Sequence, residues 1–147
     1  ANGEKNRALE VLKEVIFAND PTYSSLCFFI ILNQNLITDH EELLILFDHV
    51  LLNNKFEKEV KNLLIFKKAL FISNFASESE LLEATKPLLN TETLWKPHTL
   101  LLLGGYFASK NEYLKAKEFY IQILNTNNLH QDIYNQARSQ LSIISDD

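Results

Sequence analysis

Three segments of the chain close in the same way. Leu51-Leu52-Asn53-Asn54, Leu88-Leu89-Asn90-Thr91 and Ile123-Leu124-Asn125-Thr126 each run from an apolar pair into Asn and then a polar residue. Leu51 and Leu88 lie 37 residues apart, and Leu88 and Ile123 lie 35 apart. A period in the mid-thirties is what arrays of paired helices produce, one helical hairpin per period. Turn chemistry points the same way. With three Gly and three Pro in 147 residues, the chain lacks the turn residues that an all-β fold needs every 8–12 positions or so.

Apolar periodicity predicts helices over 4–18, 22–35, 39–53, 56–73, 78–89, 93–109, 112–125 and 129–144. Their ends carry capping signals. Asp20 precedes Pro21, a pairing that suits an N-cap followed by the first helical position. Thr38 or Asp39 caps the third helix, with Glu41 and Glu42 in its first turn against the helix dipole. Ser77 and Glu80 have capping-box spacing. The length suits one domain over 1–147, with hydrophobic residues at 46% and charged residues at 22% supporting an ordinary globular core. At net charge −5 with no basic stripe, nucleic acid is not an expected partner. No apolar run is long enough to span a bilayer, so any membrane link would lie in a segment outside this chain. The start at Ala1-Asn2-Gly3 and the absence of Met are read as a processed or truncated N-terminus.

The third copy of the repeat is the most specific. Leu103-Gly104, Phe107, Tyr113, Ala116, Tyr120 and Ile123-Leu124 have the spacing of a tetratricopeptide repeat. Gly104 and Ala116 are small where two helices cross closely, Phe107, Tyr113 and Tyr120 fill the space around them, and Asn111 takes the turn conformation usual for Gly. The second copy has Ala69 at the small site, with Ile72, Leu81 and Pro87-Leu88-Leu89 closing it. The first departs from the pattern, with Leu32 and Leu44 at the small sites. The expected fold is therefore all-α: a tetratricopeptide-like stack of about three hairpins, flanked by capping helices at 4–18 and 129–144.

With these residues in place, the chain resembles the tetratricopeptide-like domain of a bacterial membrane-anchored family that includes ancillary subunits of the Sec translocon. The resemblance rests further on Asp20-Pro21-Thr22-Tyr23, on Leu82-Glu83-Ala84-Thr85-Lys86-Pro87-Leu88, and on Trp95-Lys96-Pro97-His98 leading into Leu103-Gly104. It implies an upstream anchor, a position on the periplasmic side of an inner membrane, and a translocase subunit, periplasmic chaperone or emerging polypeptide as partner. The alternative is a cytoplasmic tetratricopeptide adaptor with no membrane link.

No catalytic, cofactor or metal site is expected. His40 and His49 are nine residues apart, not the spacing of about four that puts two ligands on one helix face. Gly104-Gly105 lies within a helix and lacks phosphate-loop spacing. Cys27, the single cysteine, has no neighbouring base and reads as a small hydrophobe. Lys55, Glu57, Lys58, Glu59 and Lys61 read as a solvated face, and Trp95 as the seal of a hairpin junction. Binding is expected on the first helix of each hairpin: Leu26, Phe29, Asn33 and Leu36, then Leu63, Phe66, Leu70 and Ser73, then His98, Leu101, Gly105 and Ala108. An open apolar surface of this kind marks a protein-binding face and is compatible with a homodimer. The same pattern would arise if these residues packed on a flanking helix as core.

Overall fold

A computed structural model describes residues 2–145. Among them are eight α-helices and no strand: α1 (Asn2–Phe17), α2 (Pro21–Asn33), α3 (His40–Asn53), α4 (Lys58–Ile72), α5 (Glu78–Leu89), α6 (Lys96–Ser109), α7 (Tyr113–Leu124) and α8 (Gln131–Ser145). The all-helical expectation is met, with each helix within three residues of the boundaries read from the sequence. The largest shift is at α6, which starts at Lys96 because Thr93 first takes up a turn, its hydroxyl accepting from Trp95 N–H at 3.3 Å.

Side chains satisfy the helix N-termini where the sequence indicated. The Asp20 carboxylate accepts from Thr22 and Tyr23 N–H at 3.0 and 3.1 Å, with Pro21 at the first position. Asp39, rather than Thr38, caps α3 by accepting from Glu41 and Glu42 N–H. Ser77 and Glu80 form the reciprocal capping box at 3.2 and 2.9 Å. Each bond supplies an acceptor to a helix-terminal N–H that has none within its helix.

Asparagine supplies the left-handed turns. Asn19, Asn35, Asn111 and Asn128 have φ of 60°, 50°, 62° and 56°. The short amide tolerates this region better than other side chains bearing a Cβ. Around Asn111 the bonds form a Schellman motif: Asn111 N–H donates to Ala108 C=O at 3.0 Å and Glu112 N–H to Phe107 C=O at 2.9 Å. Asn35 repeats it, with Leu36 N–H reaching Ile31 C=O at 3.1 Å. Helices therefore stop and reverse within a few residues.

The chain divides into two compact units, Ala1–Leu64 and Ile65–Asp147, with the boundary inside α4. In the first, α1 packs on α2 and α2 on α3. Ile16, Phe28, Ile31, Leu46, Phe47 and Val50 are buried, and the Phe28 and Phe47 rings meet edge to face at 4.5 Å. Buried Ser24 keeps α2 close to α1 and donates its hydroxyl to Ile16 C=O at 3.1 Å. Lys13 pairs with Glu42, joining α1 to α3. In the second unit α6 packs on α5, α7 and α8, and α7 also packs on α8. Leu81, Leu88, Leu100, Leu103, Phe107, Tyr120 and Ile123 are its buried centre.

Crossing of α6 and α7 is as close as the two small residues suggested. A Cβ added to Gly104 would lie 2.5 Å from Tyr120 Cε1, inside any permissible contact, and Ala116 is fully buried. Phe107 stacks on Phe119 at 5.6 Å between ring centres. Tyr113 is half-buried, and its hydroxyl donates to the Asn111 side-chain oxygen Oδ1 at 3.0 Å, bracing the turn. Lys115 bridges Glu112 and Glu78 at 2.7 and 2.8 Å. Those two hydrogen bonds, Glu112 first, hold its ammonium above the ordinary lysine range.

Neighbouring glycines of α6 should respond oppositely to a methyl group. Gly104→Ala meets the buried Tyr120 ring, and overpacking is expected to outweigh the gain in helix propensity, with a net loss of about 1–2 kcal/mol. Gly105→Ala meets nothing within 4 Å and should gain up to about 1 kcal/mol. Urea denaturation of both variants measures this, and equal effects would refute the close crossing. Burial also raises the Tyr120 phenol above its ordinary value. The unfolded chain then ionises first as pH climbs past about 10, so this stabilisation is complete below that pH and is lost above it. Melting temperature should fall between pH 9 and 11 or so, less steeply in Tyr120→Phe.

Candidate protein-binding face

The eight residues singled out for protein binding are divided between the two units, and none is in the buried core. In the first, Leu26 and Asn33 on α2 are exposed, while Phe29 on α2 and Leu63 on α4 are half-buried. In the second, Leu70 on α4 and Gly105 on α6 are exposed, while Phe66 on α4 and Leu101 on α6 are half-buried. Leu36, Ser73, His98 and Ala108 are half-buried as well.

Two local assemblies emerge in the second unit. Phe66 stacks near-parallel on Trp95 at 5.9 Å, and His98 stands 5.1 Å from Trp95 and 5.9 Å from Phe66. Three aromatic rings thus join α4 to the start of α6, the junction role expected of Trp95. Within this cluster His98 Nδ1 is buried without a hydrogen-bond partner. Leu101 and Gly105 line a cavity of about 360 Å3 together with Ser73, Asn74, Leu102, Tyr106 and Ser109. The Tyr106 hydroxyl donates to Ala76 C=O at 3.1 Å, tying α6 to the α4–α5 connection beside it.

In the first unit exposed apolar side chains stand on α1 (Val11, Phe17), α2 (Tyr23, Leu26, Ile30) and α3 (Ile45, Leu52). Tyr23, Leu26 and Ile30 are 61%, 54% and 40% exposed, and their spacing of three and then four residues puts them on one stripe. The buried residues Ser24, Ser25, Phe28 and Ile31 occupy the opposite arc. Sequence reading found Leu26 and missed Tyr23 and Ile30. The signal available was the complete lack of charge in the 13 residues of α2, since a charge-free helix has no natural solvent face.

Chemistry at the remaining polar groups is dispersed. Among the described residues, no three His, Cys, Asp or Glu side chains gather where they could hold a metal ion. His49 is engaged with Asn19 at 3.0 Å and Asn53 at 3.2 Å and meets the Phe17 ring edge to face. His130 accepts from Asp132 N–H at 3.3 Å. Cys27 is half-buried, and burial pushes its thiol above the ordinary range. No helix among the described residues is long and apolar enough to cross a membrane.

Compared with protein-family models, with curated proteins and with solved structures, the chain matches none. The local geometry therefore carries the argument for function.

A raised Cys27 pKa lowers the thiolate fraction near neutrality. Iodoacetamide at pH 7.5 or so should alkylate native Cys27 at least about fivefold more slowly than the urea-unfolded chain. Faster alkylation of the native protein would mean that the thiol is activated and would contradict the assignment of Cys27 as a packing residue.

Proposed function

We propose that this chain is a non-enzymatic protein-interaction scaffold built as a tetratricopeptide-like stack of helical hairpins. The observation that carries this reading is the outward placement of large apolar side chains on regular helices. Tyr23, Leu26 and Leu70 are each about half exposed or more, and no residue of the expected binding face is buried. Exposed apolar surface organised along helices marks a site that another protein covers. Support for the tetratricopeptide-like arrangement comes from the small residues Gly104 and Ala116 at the α6–α7 crossing and the Schellman turn at Asn111.

Binding in this reading works by shape and apolar complementarity, with no bond made or broken. A translocase subunit or periplasmic chaperone as partner, and a position on the periplasmic side of a bacterial inner membrane, rest on the sequence resemblance alone.

Crosslinking and pull-down of the full-length gene product from its own membranes tests both levels. Recovery of a translocase or chaperone, reduced at least about tenfold in folded Phe29→Asp and Phe66→Asp variants, is the expected result. Unfolding of both variants, judged by circular dichroism, would make those positions core and remove the binding face. Recovery of soluble partners alone would overturn the membrane assignment in favour of a cytoplasmic adaptor.

A further inference from the structure

The second unit holds a cavity that the protein-binding reading does not use. It encloses about 370 Å3 where the start of α6 meets the connection between α7 and α8. Pro97 on α6, Leu129 before α8 and Ile133 on α8 give it an apolar wall, and each is half-buried. A volume of this size suits a small molecule.

Polar groups without partners in the protein gather on the same cavity. Lys96 makes no ion pair among the described residues, and the side-chain amides of Asn127 and Asn128 make no hydrogen bond among them. His98 lines the cavity too, and its Nδ1 is buried without a partner, which leaves Nε2 as the nitrogen of that ring able to hydrogen-bond. His130 adds a second imidazole, its Nδ1 accepting from Asp132 N–H at 3.3 Å. One carboxylate, Glu92, stands in the lining, and it already has a partner.

The groups left to a ligand are thus mainly donors. A carboxylate satisfies such a set, because it accepts from an ammonium and from amide N–H groups and has no donor of its own to place. Its single charge matches Lys96, whereas a dianion such as phosphate would set a second negative charge beside Glu92 with no cation to offset it. We propose that this cavity binds a small carboxylic acid with an apolar body. The carboxylate meets Lys96 and the amides of Asn127 and Asn128, and the body lies on Pro97, Leu129 and Ile133.

Trp95 provides the readout, since it is the only tryptophan and its ring is 5.1 Å from that of His98. Sodium hexanoate titrated into the full chain should change Trp95 emission in a saturable way, half-complete on the order of 1 mM. It should also shift the side-chain amide NMR signals of Asn127 and Asn128. Hexylamine, with the same chain and the opposite charge, should bind at least about tenfold more weakly. Lys96→Gln, shown to be folded by circular dichroism, should weaken hexanoate by about tenfold or more. Lys117→Gln removes the same charge outside the cavity lining and should leave binding unchanged. If neither emission nor the amide signals move by about 50 mM hexanoate, the proposal falls. Equal binding of hexylamine, or equal effects of the two lysine variants, overturns it as well. Inorganic phosphate binding more tightly than hexanoate would make this a phosphate site and overturn the carboxylate assignment.

Discussion

Helices of 12–16 residues are too short to persist alone in water, so every helix of this chain depends on a face buried against a neighbour. That constraint organises the rest. Connections must be short enough to return each helix at once to its partner, and residues at each crossing must be small enough to admit it. Between α6 and α7 the two demands meet within a few residues. The left-handed Asn111 ends one helix, Tyr113 braces the turn, and Gly104 lets the Tyr120 ring lie where a Cβ would otherwise stand. Ser24 serves similarly at the α1–α2 contact, where its buried hydroxyl is satisfied by the Ile16 carbonyl.

Against this background α2 is the exception. Every other helix includes at least one charged side chain. On α3, exposed Ile45 and Leu52 are interrupted by Asp48 and preceded by Glu41 and Glu42. Helix α2 has no such interruption. Its packing face includes two serines, and its outward face holds the exposed apolar side chains Tyr23, Leu26 and Ile30. Folding stability alone does not call for Tyr23 or Leu26 in solvent.

Local signals were the most legible part of the sequence. Capping by Asp20, Asp39 and the Ser77–Glu80 pair depends on residues two or three positions apart, and each formed as the spacing indicated. The left-handed Asn111 and the tight Gly104 site were readable for the same reason: one position has one steric demand. Faces were harder. Which arc of α2 meets a neighbour is fixed by distant residues, and a helix with no charge and with polar residues on both faces offers little periodicity from which to choose. Hence Leu26 was found while Tyr23 and Ile30 were not.

The aromatic cluster at the head of α6 gives the molecule an uneven optical signature. Trp95 is the only tryptophan, and it stands against Phe66 and His98 in the second unit. Four of the five tyrosines also belong to that unit, leaving Tyr23 alone in the first. Intrinsic emission therefore reports almost entirely on residues beyond 64, whereas helical ellipticity weighs both units by length. Any difference between the two signals during denaturation would expose separate melting of the two halves, and light excited at the tryptophan edge would see only one of them.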